Sequence, residues 1–467
     1  MSSSYDLVVL GSGTTAFAGA LHAVGDGASV LMVEQSQLGG TCVNWGCIPS
    51  KTLIDKAEDY FAARRGPSFG LNLDTAPPDF KRLMEVKRQA VTILRREHYQ
   101  DVLDNEPNIH VLRGHGCFLS PREMLVGSQT VEAERFLIAC GGYPRTLDIP
   151  GLSGVNYLTS FSAMHLPCFP ESMLIIGGGV IALEMGQMFS RFGTRVTILE
   201  RGERLLKEFD TRLTDLFVEI LADENIDMLF EAETQRVAQD GSEVVLETLV
   251  AGRERVLRAE RLMLAVGTAP ATEDIGLQKA GVETDPSGFI KTDRHMRTAA
   301  DGIWAAGDVT GPPLIAPAGA QEAEVAVRNM LHPQAKAEVD HRQTPMAIFV
   351  DPEFATVGIT SEGAREQGIK AVETWTDLHE VAKAHVMGGR KGGIVLCAEE
   401  GTGRVLGLQM LAPRAADIIH EATLAVRFGL TVHDLAETIH VYPTISDGLR
   451  LAARQNALLQ RRLLDER

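Results

Sequence analysis

Short apolar runs closed by glycine punctuate the chain, and two of them open closely similar units. Asp6-Leu-Val-Val-Leu leads into Gly11-Ser12-Gly13-Thr14-Thr15-Ala16, a helix predicted to about Asp26, and a second strand over 29–34. Met173-Leu-Ile-Ile leads into Gly177-Gly178-Gly179-Val180-Ile181-Ala182, a helix to about Phe192, and a strand over 195–200. Both read strand, G-x-G-x-x-A turn, helix, strand, acid, and in each the acid follows the first glycine by 23 residues. The order demands a tight turn, close backbone approach to a pyrophosphate, a helix N-terminus facing it and an acid on a ribose diol. One such loop is weak; two with matched acids are strong. Gly11, Gly13, Ala16 and Glu34, and Gly177, Gly179, Ala182 and Glu200, are therefore candidate nucleotide-binding residues.

A second matched pair of strands follows these units: 136–144, carrying Gly141, and 262–270, carrying Gly267. Ile303-Trp304-Ala305-Ala306-Gly307-Asp308-Val309 is a further strand-to-turn segment, and a polar linker spans roughly 331–343. The last part, about 120 residues, holds predicted strands at 346–349, 393–397 and 404–410 and helices at 415–428, 431–437 and 448–464. The expected class is α/β, divided at 1–150, 151–275, 276–340 and 341–467.

Composition narrows the setting. With 467 residues and 45% hydrophobic content the chain can build several cores, and length alone predicts about three domains. A net charge of −17 argues against nucleic acid as a partner. No apolar run approaches the ~20 residues of a membrane helix. Met1-Ser-Ser-Ser runs directly into the first strand with no leader pattern, so a cytoplasmic, reducing location is expected. Six cysteines are scattered without zinc spacing, and no metal site is expected.

The densest chemistry lies in Gly39-Gly40-Thr41-Cys42-Val43-Asn44-Trp45-Gly46-Cys47-Ile48-Pro49-Ser50-Lys51. On a regular helix, residues five apart sit about 140° apart around the axis. Their α-carbons are then too distant for a disulfide, which needs roughly 4.4–6.8 Å. A bridge requires a distorted turn, which Gly46 permits, and Pro49 suits the first turn of a following helix. Cys47 then lies at a helix N-terminus beside Lys51, a setting that favours a thiolate. On the residues alone, two unpaired core thiols remain an equal reading.

Flanked by GGT and IPSK, the motif resembles the redox site of the FAD-dependent pyridine nucleotide–disulfide oxidoreductases, and the resemblance covers essentially the whole chain. It implies tandem Rossmann-like FAD- and NAD(P)-binding domains and a C-terminal α+β dimerisation domain, assembled as a homodimer. It also implies that Cys42 is the interchange thiol and Cys47 the flavin-facing one, with Lys51 and Glu184 paired beside the flavin. Gly40, Thr41, Gly116, Gly141 and Asp308 fall at FAD positions, and Gly267 at an NAD(P) position. His115 falls where the family places a strand edge against the FAD adenosine, a structural role. Glu200 favours NADH, while Arg201 and Arg204 beside it leave NADPH open.

The C-terminal His440-Val441-Tyr442-Pro443-Thr444-Ile445-Ser446-Asp447 departs from the dithiol-handling members, which carry His-Pro-Thr followed by Glu. Tyr442 stands at the base position, and a phenol of pKa about 10 is a poor base. Asp447 replaces the Glu, and His440 is an alternative base two residues upstream. The tyrosine resembles the mercuric reductase branch, with a thiol-bound metal ion or small electrophile as acceptor. That branch's C-terminal vicinal cysteines do not occur in Leu463-Leu464-Asp465-Glu466-Arg467, nor does a metal-binding domain precede Gly11, so the usual thiol relay is not expected. Dihydrolipoamide dehydrogenase or a related reductase of small disulfides, served by a lipoyl-carrier protein, is the alternative. A low-activity redox-sensing flavoprotein is the third reading.

Overall fold

The computed structural model describes residues 5–73 and 75–465. Two five-stranded parallel sheets organise the first two-thirds. In the first, strands run in the order Ile303–Ala305, Phe136–Ile138, Leu7–Leu10, Val30–Glu34, Ile109–Arg113. Leu7–Leu10 is buried along its whole length, as expected of a strand covered on both faces. The second sheet is ordered Ile226–Leu229, Arg195–Leu199, Ser172–Ile176, Arg261–Leu264, Leu158–Thr159. Each sheet carries a three-stranded antiparallel appendage, Gly116–Ser120 through Glu132 on the first and Ala232–Asp240 through Ala259 on the second.

The chain returns to the first sheet after the second is complete. Helix Ala316–Leu331 packs on helix Thr14–Gly25 through Ala16, Ala20, Ala23, Ala323, Ala326 and Val327. Gly19 lets helix Thr14–Gly25 sit close to both the sheet and its partner helix: a methyl group there would meet Leu137 Cδ2 of the strand at 2.7 Å and Ala323 Cβ of the other helix at 3.4 Å.

The last domain is an antiparallel sheet ordered Met346–Ile348, Glu353–Gly358, Val405–Ala412, Gly393–Glu399, Ala371–Asp377. Helices Ala415–Phe428, Val432–Glu437 and Asp447–Asp465 share its core through Ile419, Leu435 and Leu449. Sequence reading found three of these five strands. Ala371–Asp377 is a sheet-edge strand with polar residues interleaved, so it offers no apolar run. No described helix is long and apolar enough to cross a membrane.

Candidate active site

The two thiols meet where a short helix breaks and restarts. Cys42 lies in the turn Gly40–Asn44, and Cys47 is the first residue of helix Cys47–Arg65. Trp45 and Gly46 amides both donate to Thr41 O, at 2.9 and 2.7 Å, which ends the first turn. A side chain at Gly46 would place its Cβ 3.2 Å from the same oxygen, so glycine keeps the turn tight. The second helix has no side-chain cap, leaving its first-turn amides and dipole to act on Cys47.

The sulfurs are unlinked thiols in this structure and are electrostatically unequal. Hydrogen bonding from Cys42 holds the Cys47 thiol down at about 7, with the Lys51 charge assisting and burial and Glu184 opposing. Its donation to Cys47 and its burial push Cys42 up. The pair therefore reads as a Cys47 thiolate receiving a proton-bearing Cys42.

Lys51, one turn into the same helix, donates to Glu184 Oε2 at 2.6 Å. Glu184 arrives from helix Val180–Arg191 of the second sheet and is 5% exposed, whereas Lys51 is 33% exposed. Glu184 Oε1 also accepts the Phe349 amide at 3.0 Å, and the Phe349 ring lies 4.8 Å from the Lys51 ammonium. Residues from all three domains thus converge on one charge pair.

The nucleotide loops have the features a dinucleotide requires. Helices Thr14–Gly25 and Val180–Arg191 both begin on a glycine, Gly13 or Gly179, with no side-chain cap. Four other helices are capped by Asp79, Asp210, Thr360 and Thr431, whereas Ala316–Leu331 and Ala415–Phe428 also lack a side-chain cap. Uncapped first-turn amides suit a pyrophosphate. Gly11 has φ +120°, and a Cβ there would lie 2.3 Å from Ala139 O; at Gly177 the corresponding distance, to Ala265 O, is also 2.3 Å. Glu34 accepts from Ser12 Oγ and the Ser36 amide, both at 2.5 Å.

Beside Glu34 lies a cavity of about 310 Å³, lined among others by Gly11, Gly116, Cys140 and Tyr143. His115 on its rim faces Gln35 Oε1 and Asp274 O, 2.9 and 3.1 Å away, in keeping with a structural role. Burial pushes the Asp308 carboxyl up, and no donor among the described residues reaches it. An acceptor left this way suits the hydroxyls of a ribityl chain, so the residues present fit FAD. In the second loop Glu200 accepts the Gly178 and Gly202 amides at 2.8 and 2.6 Å. Arg204 is directed to the backbone oxygens of Phe209 and Lys207, and Arg201 is exposed.

The C-terminal candidates do not assemble into a base within this chain. Both ring nitrogens of His440 face acceptors: Nδ1 is 2.9 Å from Thr438 O and Nε2 2.8 Å from Glu421 Oε1. The His440 side chain is 6% exposed, so the ring is engaged inside its own chain rather than presented to a substrate. His440, the alternative base expected from the sequence, thus has its ring against Thr438 and Glu421. Asp447 binds Arg450 Nε at 2.7 Å, so it orients its own helix rather than Tyr442. Tyr442 is 70% exposed, between Val441 and Pro443, with Ile439 96% exposed nearby. Among the described residues no cluster of three or more His, Cys, Asp or Glu could hold a metal ion.

Sequence reading missed Phe349, Gln187 and Arg191. Gln187 and Arg191 lie three and seven positions beyond Glu184, on the same helix face, in an otherwise apolar segment. Polar residues at that spacing on a buried helix were the available signal.

Comparison with known proteins places these features in a lineage. The description "pyridine nucleotide-disulphide oxidoreductase" matches residues 5–329, and that family's dimerisation domain matches residues 344–453. A mercuric reductase from Staphylococcus aureus is 37% identical over 96% of this chain and 82% of its own length. A dihydrolipoyl dehydrogenase from Thermus scotoductus is 35% identical over 96% of this chain and 97% of its own length. Among solved structures, the Cu(II) complex of the HOCl-induced flavoprotein disulfide reductase RclA from Escherichia coli aligns with a TM-score of 0.86 and 28% identity, covering 97% of this chain and 99% of that one. The chain belongs to the pyridine nucleotide–disulfide oxidoreductases, enzymes that depend on FAD and a pyridine nucleotide.

Proposed function

We propose that this enzyme passes two electrons from NADH through a Cys42–Cys47 disulfide to a thiol-bound soft metal ion or a small electrophile, in the manner of a mercuric reductase. FAD, when bound, supplies the exchange of electrons between nicotinamide and sulfur. On reduction the S–S bond breaks, the electron pair resides on the two sulfurs, and Cys42 takes up a proton while Cys47 stays a thiolate. Lys51 holds positive charge beside that thiolate, and Glu184 fixes the lysine. The observation that carries the acceptor class is that, among the described residues, the exposed C-terminal segment presents no imidazole: Tyr442 replaces the histidine, and the His440 ring is buried against Thr438 and Glu421. Ligand exchange at a soft metal ion needs thiolates. Oxidation of a dithiol instead requires removal of a proton from it.

The commitment of Arg204 to backbone oxygens supports NADH, since of the two neighbouring arginines it leaves only Arg201 to offset the repulsion of a 2′-phosphate by Glu200. A homodimer is part of the reading. Ile439, Val441, Tyr442 and Phe428 are 96, 78, 70 and 67% exposed, a surface that a second copy would cover.

Anaerobic addition of NADH is expected to produce a long-wavelength thiolate–flavin band. NADH oxidation should then respond to Hg(II) in excess thiol, with little turnover of lipoamide. Brisk lipoamide reduction with no response to Hg(II) would replace this reading with the dihydrolipoamide dehydrogenase one. A KM lower for NADPH than for NADH would end the nucleotide preference, and an active monomer on sizing chromatography would end the dimer.

A further inference from the structure

Three residues on one face of helix Val180–Arg191 bind one short strap of the last domain, residues 349–351. Glu184 accepts the Phe349 amide. Gln187 bonds the Asp351 main chain twice, accepting its amide at 2.8 Å and donating to its carbonyl at 3.0 Å. Arg191 donates to the Asp351 carboxylate at 3.0 Å and to Glu224 at 2.7 and 2.9 Å. The spacing 184, 187, 191 follows the helical repeat, so a single rigid face sets the register of the strap. Arg191 is 4% exposed, and a buried guanidinium between two carboxylates tolerates little displacement.

The strap also touches the redox site through Phe349. Its amide holds Glu184, and its ring lies 4.8 Å from the Lys51 ammonium that Glu184 binds. A cation over an aromatic face is attracted to it by the ring quadrupole. Lys51 is therefore held from two sides, and both depend on where the strap lies.

We propose that Phe349 is a positioning residue for Lys51, and that Gln187 and Arg191 act with it by fixing the strap, so the last domain places the cation beside Cys47. The inference rests on the proposed reading of Cys47 and Lys51 as the redox site. The charged and titratable groups facing Cys47 are Cys42 from the preceding turn, Lys51 on its own helix, Glu184 from the second sheet's helix and Tyr99 from Arg96–Gln100. Among them only Lys51 and Glu184 are bonded or stacked to the strap.

The test is the pH midpoint of the thiolate–flavin band in reduced holoenzyme. Absence of the band in the unaltered protein would defeat the redox reading itself, a different result from the one sought here. Given the band, Phe349→Leu should raise its midpoint by about half a unit, the loss expected for one cation–ring contact. Phe349→Tyr should restore it. Gln187→Met should shift it in the same direction with the ring intact. A purely structural role would lower the melting temperature and leave the midpoint in place. A midpoint unmoved in either Phe349→Leu or Gln187→Met, or one equally raised in Phe349→Tyr, overturns the proposal.

Discussion

Replacing Cys42 by serine or by alanine separates two sources of the Cys47 thiolate. Cys47 titrates near 7 against an ordinary 9.0, and the leading cause is the hydrogen bond from Cys42, ahead of the Lys51 charge. A lowering of that size raises the ionised fraction at pH 7 from about 1% to about half. Burial opposes this lowering, so removing the donor exposes the full cost of a buried thiolate. Cys42→Ala should therefore return the Cys47 midpoint to the ordinary thiol value or above it. Serine keeps a donor in place, and Cys42→Ser should stay within about one unit of the native value. At pH 7 the two variants should differ more than about tenfold in Cys47 thiolate. The thiolate–flavin absorbance followed across pH gives each midpoint, and iodoacetamide capture of Cys47 read by peptide mass spectrometry gives an independent one. Midpoints are compared rather than rates, because nucleophilicity falls as the thiol becomes more acidic. Equal midpoints in the two variants would refute the hydrogen-bond account and leave Lys51 and the helix terminus as the cause.

Three further outcomes follow from the same geometry. Gly11→Ala would drive a Cβ to 2.3 Å from Ala139 O, just past the end of the adjacent parallel strand Phe136–Ile138. FAD affinity, measured by reconstitution of the stripped protein, should fall at least about tenfold, equivalent to about 1.4 kcal/mol; unchanged affinity would show that the loop gives way. Arg191→Met strands the buried carboxylates of Glu224 and Asp351, with Arg390 still 3.3 Å from the latter. A loss of about 3 kcal/mol in urea denaturation is expected, and a loss under about 1 kcal/mol would mean the cluster is not desolvated. Glu353 is pushed up to about 7 by burial, with Asp417, Glu58 and Asp351 adding to it. The folded state therefore keeps a proton that the unfolded chain releases near 4.5, and stability falls as pH rises from there to about 7. Glu353→Gln should remove that slope, on the order of 2 kcal/mol after screening; a parallel pH–stability curve would refute it.

The parts of the molecule legible in its sequence are those where backbone geometry leaves one residue type. Gly11 and Gly177 both stand where a Cβ would strike a carbonyl of the neighbouring strand, so the two loops declare themselves. The buried parallel strands read equally well, because covering both faces makes each a continuous apolar run. Lys51 and Glu184 lie 133 positions apart, and only the family resemblance joined them before the fold did. The strap's contact with the helix had no signature, since Gln187 bonds it through the main chain of Asp351, which any residue supplies. His440 shows the opposite case: its sequence neighbourhood suggested a base, and only the fold reveals its ring turned inward against Thr438 and Glu421.

The site's chemistry is divided between what one chain holds rigidly and what it leaves on its surface. The thiol pair, Lys51, Glu184 and Phe349 are fixed by bonds among three domains of the same chain. Tyr442 is carried outward on an exposed apolar segment. On the proposed reading, electron delivery to sulfur depends on the first set, where a displaced ammonium would alter the Cys47 thiolate directly. Acceptor choice, on the same proposed reading, depends on the second, and a phenol there changes which reactions the thiols can complete without changing how they are reduced. Exchange of thiolate ligands on a soft metal ion asks nothing of a base at that position. Turnover of a dithiol asks for one near neutrality, and a phenol of pKa about 10 does not supply it. Replacing Tyr442 with histidine, with Asp447 left in place, should therefore raise disulfide–dithiol turnover while the NADH-reduced spectrum stays as it was; a changed spectrum would show that the two sets are not separable.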